Sequence, residues 1–401
     1  MFSMFSMSRV ALVAVACAAV VGGVVAAPQP GGAPNPFPGG TNADGSLRPT
    51  PPLTRLFTQD AYTEYALLEP GSESFRIRFL PEETRTGATE LVNATRGGSE
   101  GSGVEVYDPR TGKPLPFTYE IDPKDPESHA IHAKLPIPVP AGGVGRVLIY
   151  KTYKDPRTYT MHGEDIVWVR SLSGYRLGVL LPKGFAFLSS NVAAQLSTTS
   201  DGRLKLAFAN PSGQSNPVTI HARRTTATFT PTTGPDVFFD DVKTLYDLGA
   251  PEAHRFTVDQ SYSDFRKTKG LVTTLDSLAY LPFDTLQVTD LDTARPLTVM
   301  KAGAATTVAL DVPIVDDKQS AHLRLTGTIT DPAYTVTGDD LVFVRTVKGL
   351  RNTVLLPEGW EVAEVSQSAT IGRADGRVFV ALINLNAENA YAVRIRARRA
   401  H

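Results

Sequence analysis

Cysteine is almost missing from this chain. The single one, Cys17, lies inside an apolar N-terminal run, and nothing after it carries a thiol. Disulfides, thiolate zinc sites and cysteine nucleophiles are therefore excluded together for the part beyond that run. A charge excess is missing too: 40 Lys and Arg face 41 Asp and Glu, a net −1. No global field draws the protein to nucleic acid or to an anionic membrane. Past the N-terminal run no stretch is apolar enough to span a bilayer as a helix. Helical periodicity is absent as well, since no segment keeps the 3.6-residue spacing over three turns between plausible caps. Neither a D-x-D-x-D-G calcium loop nor an H-E-x-x-H zinc helix occurs. No catalytic residue, metal ligand or cofactor is expected, and no binding residue can be named.

What is there begins with an export signal. Arg9 precedes an apolar run from Val10 to Val25, the length of a signal-peptide core. Cleavage after Ala26 leaves Ala27 at the new end, so residues 1–26 are expected to be the signal. Cys17 offers a lipid-anchored alternative, which the apolar residues after it (AAVVGGVVAA) disfavour. Residues 27–52 hold eight Pro and five Gly in 26 positions and are expected to form a disordered Pro/Gly-rich tether.

The rest of the chain says the same thing twice. Residues 167–185 (VWVRSLSGYRLGVLLPKGF) and 342–360 (VFVRTVKGLRNTVLLPEGW) agree at ten of 19 positions with an offset of 175. Asp201-Gly202-Arg203 meets Asp375-Gly376-Arg377, and Ala222-Arg223-Arg224 meets Ala397-Arg398-Arg399. Upstream, Val104–Leu115 meets Leu286–Leu297 at an offset of 182, so the first copy carries about seven extra residues between Asp108 and Trp168. A tandem duplication follows, with repeat one over 53–225, a Thr/Pro/Gly linker over 226–236 and repeat two over 237–401.

Inside each repeat the period is two. Phe75, Ile77 and Phe79 alternate with Ser74, Arg76 and Arg78, and Tyr391, Val393, Ile395 and Ala397 alternate with arginines. Val147–Tyr150 and Val179–Leu181 are unbroken apolar runs, suited to strands covered on both faces. Asp201-Gly202 and Asp375-Gly376 predict two-residue hairpin turns. The fold class is all-β: two homologous β-sandwich units of roughly ten strands each. That exceeds a seven-strand immunoglobulin domain, and the pattern leaves open one large sandwich or two small ones per repeat.

Several constellations resemble chemistry. Gly97-Gly98-Ser99-Glu100-Gly101 fits G-x-S-x-G, but a nucleophile elbow needs a helix next, and Val104–Tyr107 reads as a strand. An open glycine-rich loop is the expectation. In repeat two the corresponding Leu278–Thr285 is apolar instead. Asp122, Asp125, Glu127 and His129 share one segment and are read as a solvated turn, not a cation site. The doublets Asp240-Asp241, Asp316-Asp317 and Asp339-Asp340 cannot pair across a glycosidase cleft, because neighbours on a strand face opposite ways. Asp165 and Asp340 are equivalent, as are Arg170 and Arg345. Equivalence favours structure, so each arginine is expected to meet a carboxylate in its own sandwich. Trp168 (equivalent to Phe343) and Trp360 (equivalent to Phe185) read as core residues, not sugar platforms. Arg394, Arg396, Arg398 and Arg399 are read as a charged edge strand that discourages aggregation. Asn93-Ala94-Thr95 is a glycosylation sequon. The expected protein is a secreted or periplasmic, non-catalytic binding or scaffold module for a glycan or envelope protein. The alternative is an exported polysaccharide or ester hydrolase with its site in the groove between the units.

Overall fold

The computed structural model describes residues 61–95, 99–122, 125–172, 174–210, 215–233, 242–249, 251–302, 305–384 and 389–400. The expected signal and tether lie outside the described residues, as do Asp240 and Asp241. All described residues belong to one compact unit.

The fold is all-β, and its two halves are built on roughly the same plan. In the first half the main sheet runs Gln195–Thr198, Leu204–Ala209, Arg176–Leu180, Ala61–Leu67, Ser74–Glu83, Leu148–Lys154, Glu100–Tyr107. In the second it runs Thr370–Ala374, Arg377–Ile383, Arg351–Leu355, Val242–Leu248, Arg255–Asp264, Ala321–Thr330, Thr285–Asp290, Arg295–Pro296. Each contains one parallel pair in the same place, Ala61–Leu67 with Arg176–Leu180 and Val242–Leu248 with Arg351–Leu355. Each half has a bulge at the same point of its last strand pair, between Phe187 and Ser189 and between Val362 and Glu364. Even the left-handed backbone at Glu73 (φ 53°) recurs at His254 (φ 49°).

Two smaller sheets cover one face of each main sheet. In the first half a four-stranded sheet encloses a core around Trp168, Phe75 and Phe185, and a three-stranded sheet encloses a second core around Ile131, Ile149 and Leu91. Phe79 packs against both. The second half repeats this around Phe343 and Trp360, and around Val308 and Leu325. The open question of one sandwich or two thus resolves into two cores sharing one long sheet. Each half has fifteen strands among the described residues, not ten. Pieces such as Gly145–Arg146 and Tyr159–His162 are too short for alternation to register.

The seven extra residues of repeat one lie in a hairpin of the three-stranded sheet. Phe117 and Val299 begin equivalent strands 182 apart, while Lys134 and Ala309 end equivalent strands 175 apart. The Asp-Gly turns differ from expectation in one copy. Ala374 pairs directly with Arg377 around Asp375 and Gly376, both at positive φ (50° and 79°), a true two-residue turn. In the first half only Gly202 is at positive φ (82°), and the loop opens to Thr199–Arg203, closed by Thr199 N donating to Arg203 O at 2.8 Å. One extra threonine there lengthens the turn.

The uncovered faces of the two main sheets meet each other. Tyr62, Leu80, Leu148 and Ala207 of the first half form one cluster with Leu350 of the second, flanked by Phe265 and Ile383. This explains why Arg176–Leu180 is buried on both faces.

Candidate functional site

Among the polar assemblies that interrupt the apolar packing, two stand at the junctions between cores. One is a seam between the two cores of the first half. Lys151 lies on Leu148–Lys154 with the same parity as the core residues Ile149 and Tyr153, so its side chain points inward. It is 4 % exposed. Its Nζ donates to Asn93 Oδ1 at 2.6 Å and sits 4.8 Å from the centre of the Tyr153 ring. No carboxylate among the described residues pairs with it. Burial, and secondarily the charge of Arg170, lowers its pKa to about 7.

Beside it Asp155 gathers three groups. Ser99 Oγ donates to Asp155 Oδ2 at 2.9 Å, Arg170 Nη1 lies 3.3 Å from the same oxygen, and Arg157 N donates to Oδ1. Ser99, expected on an open loop, is therefore buried and tied down. It meets a carboxylate, not a histidine, and a strand follows it from Glu100. Gly101 is needed for close approach, since a Cβ there would collide with the Tyr119 hydroxyl. His129 stacks on Tyr119 with centroids 5.2 Å apart. The side chains of Asp122, Asp125 and Glu127 lie outside the described residues, but Asp122 and Asp125 pair across the end of a hairpin. Asn93 of the sequon accepts from Lys151 through its Oδ1.

The second half builds the same knot differently. Arg345 Nη1 meets Asp331 Oδ2 at 2.7 Å, the equivalent of Arg170 and Asp155, and its Nη2 donates to Tyr280 O at 3.0 Å. Where the first half has Lys151, the second has Gly327. A Cβ at Gly327 would run into the Thr285 carbonyl and sit 2.8 Å from Phe283. The apolar Leu278–Thr285 segment thus fills the space that Lys151 and Ser99 share in the first copy.

The other assembly joins the halves. Arg146, 3 % exposed, grips Asp292 with Nε at 2.7 Å and Nη2 at 2.5 Å, and its Nη1 donates to Ser320 Oγ at 2.9 Å and Ser263 Oγ at 3.2 Å. Burial opposes charge on Asp292, yet Arg146 and the neighbouring His322 hold its carboxyl well below the usual range. Asp290 goes the other way, pushed up by burial and by the charge of Asp292. His322 lies 3.4 Å from Glu82 and 3.7 Å from Asp292. Arg110 adds Asp311 at 2.9 Å and Asp290 at 3.5 Å. Sequence reading missed Arg146, Asp292, His322 and Lys151. A signal existed for two of them, since Arg146 opens an apolar run and Lys151 sits on core parity.

The remaining candidates fall into structural places. Trp168 and Phe343 are fully buried. Phe185 and Trp360 are core residues capped by Arg224 at 5.0 Å and Arg399 at 5.1 Å. Asp165 binds Arg223 at 2.5 Å, as Asp340 binds Arg398 at 3.2 Å. Asp317 pairs with Lys267, and Asp316 caps the Lys318 amide. The arginine row is not an edge strand. Tyr391–Arg399 lies between Asp340–Val347 and Trp360–Val365, paired on both sides. Arg394 and Arg396 share Glu364 and Arg398 reaches Asp340, so the row is partly neutralised by its neighbours. Alternating arginines on an exposed face looked like an edge because sequence cannot show which strands flank them.

An open depression of about 380 Å³ on the second half is lined by Asp247, Thr257, Glu358 and Arg377 among others. Arg377 is spent there on Asp247 and on the Leu356 carbonyl. No helix among the described residues is long and apolar enough to cross a membrane. No group of three or more metal-binding side chains occurs among the described residues.

No family model and no curated protein matches the chain. Among solved structures it is similar to a "putative protease" from Parabacteroides distasonis, at 9% identity and TM-score 0.25, over 86% of this chain and 93% of that one. A likeness that faint carries no argument about activity.

Proposed function

We propose that this is an exported, non-catalytic binding or scaffold protein: a signal peptide (1–26), a Pro/Gly-rich tether (27–52), and two β-sandwich units that present rigid outer faces at the cell envelope or beyond it. The observation that supports it is the recurrence of one polar knot, Asp155 with Arg170 and Asp331 with Arg345, each built into its own half. Groups that serve the same packing role twice are architecture, because two copies rarely share one active site. The serine of the G-x-S-x-G match is consumed by the first knot. Where the halves meet, a hydrolase cleft would have to displace Tyr62, Leu80, Leu350 and the Arg146–Asp292 pair. The ligand class we assign is an envelope glycan or protein, held on an outer sheet face.

A glycan-array screen together with an envelope pull-down, using the chain from Ala27 onward, tests this. Retention of a defined glycan or envelope component, unchanged in a Ser99→Ala variant, is the expected result. Clean negatives in both screens, or turnover of an ester or polysaccharide that Ser99→Ala abolishes, would overturn it.

A further inference from the structure

The contact between Lys151 and Asn93 brings together two groups that can react with each other. They stand on separate sheets of the first half, 58 residues apart in sequence. Asn93 shares the inward parity of Leu91 and is in register with the fully buried Ile131. Lys151 is in register with the buried Ile77. Amine and amide therefore meet between two apolar rows. Nζ lies 2.6 Å from Oδ1. The amide carbon is one C=O bond, about 1.2 Å, from that oxygen, so Nζ is at most about 3.8 Å from the carbon. Groups held within ~3–3.5 Å of each other can form a bond without an encounter step, and this pair stands close to that range.

The pair is present or absent as a unit in the two copies. Where the first half has Lys151 and Asn93, the second has Gly327 and Leu275. An ammonium closed into a core with a neutral acceptor, and with no carboxylate partner among the described residues, is a costly filling for the first half. A reaction that removes the charge relieves that cost. Past Cys17 the chain also has no thiol, so a covalent tie between its sheets has to come from another pair of side chains.

We propose that Lys151 and Asn93 condense into an isopeptide bond that ties the three-stranded sheet to the main sheet of the first half. The Nζ–Cγ bond forms and the Cγ–Nδ2 bond breaks. The lysine ammonium first passes a proton along the hydrogen bond to Oδ1, which frees the electron pair of Nζ and makes Cγ more electrophilic. After Nζ adds to Cγ it gives a second proton to Nδ2. Ammonia departs and takes the proton from Oδ1 with it as ammonium. One cation enters the reaction and one leaves, so no oxidant, reductant or co-reactant is consumed. The lowered pKa of Lys151 works in the same direction, because burial populates the free amine near neutrality. Asn93 is only half-buried, which leaves the ammonium a way out.

Intact mass of the chain from Ala27 onward decides this, read in denaturant after the folded protein has been held at neutral pH. The natural protein should be lighter than its sequence by one ammonia, and proteolysis should recover residues 93 and 151 in one branched peptide. Lys151→Met and Asn93→Ala should both keep their full sequence mass. A natural protein at full mass would overturn the proposal, and that reading needs no variant to fold. Ammonia loss that persists in Lys151→Met would overturn it too, by placing the loss elsewhere. A closed bond leaves no amine to titrate at Lys151, so the pH dependence of unfolding is to be measured on protein still at full mass.

Discussion

Lys151 is the residue whose chemistry departs furthest from its ordinary state. An unfolded chain holds that amine's proton to about pH 10. In the folded protein, burial and then Arg170 bring the pKa to about 7. Between those values the unfolded state binds more protons, so this residue makes stability rise with pH across the window. Its cost is complete below pH 7, at about 4–5 kcal/mol for the whole gap. Lys151→Met removes the titrating group and keeps an unbranched side chain, though it leaves the Asn93 amide without its donor. Relative to the natural protein, the variant should therefore be favoured at pH 6 over pH 9.5 by about 2–4 kcal/mol. Urea unfolding at the two pH values measures this. An identical pH dependence in the two proteins would mean that the amine is solvated or paired with a group of opposite charge.

At the scale of elements, the two copies show how one sheet solves the same gap twice. The first fills it with a lysine and a serine, the second with the Leu278–Thr285 segment laid over Gly327. Gly327→Ala should cost about 2–4 kcal/mol, because its Cβ meets a backbone carbonyl that cannot swing away. Thermal unfolding checks it, and a variant within ~0.5 kcal/mol of the natural protein would show that the segment yields freely. The strands were legible because core residues recur at period two, as in Phe75 and Ile77, and because two copies could be read against each other. Arg170 and Arg345 could be assigned carboxylate partners on equivalence alone. Strand neighbours were not legible, since pairing is a property of distant segments. The arginine row of Tyr391–Arg399 was accordingly misplaced at an edge. The Lys151 seam was half legible: parity puts it inside, but nothing local says that Asn93, 58 residues away, will receive it.

For the molecule as a whole, the buried pair of Arg146 and Asp292 decides whether two duplicated units behave as one body. Arg146→Met leaves Asp292 buried without its cation, which costs about 3–5 kcal/mol, while replacing both partners by apolar residues can be nearly neutral. The Asp292 carboxyl is held below its unfolded value, so its contribution is present above about pH 4 and is lost only as pH falls through the lowered folded value. Neutral pH is thus a fair condition for the test. Each half carries one tryptophan, Trp168 in the first and Trp360 in the second. Each copy also supplies the other's substitution: Trp168→Phe imitates Phe343, and Trp360→Phe imitates Phe185. Two single-tryptophan proteins therefore report on each half separately. With Arg146 in place, their denaturant transitions should coincide, because neither half can open without exposing the shared Tyr62–Leu350 face and a buried ion pair. In the Arg146→Met background the transitions should separate, and adding Asp292→Leu should bring them together again. Coincident transitions at an unchanged midpoint in Arg146→Met would show that apolar contact alone couples the halves.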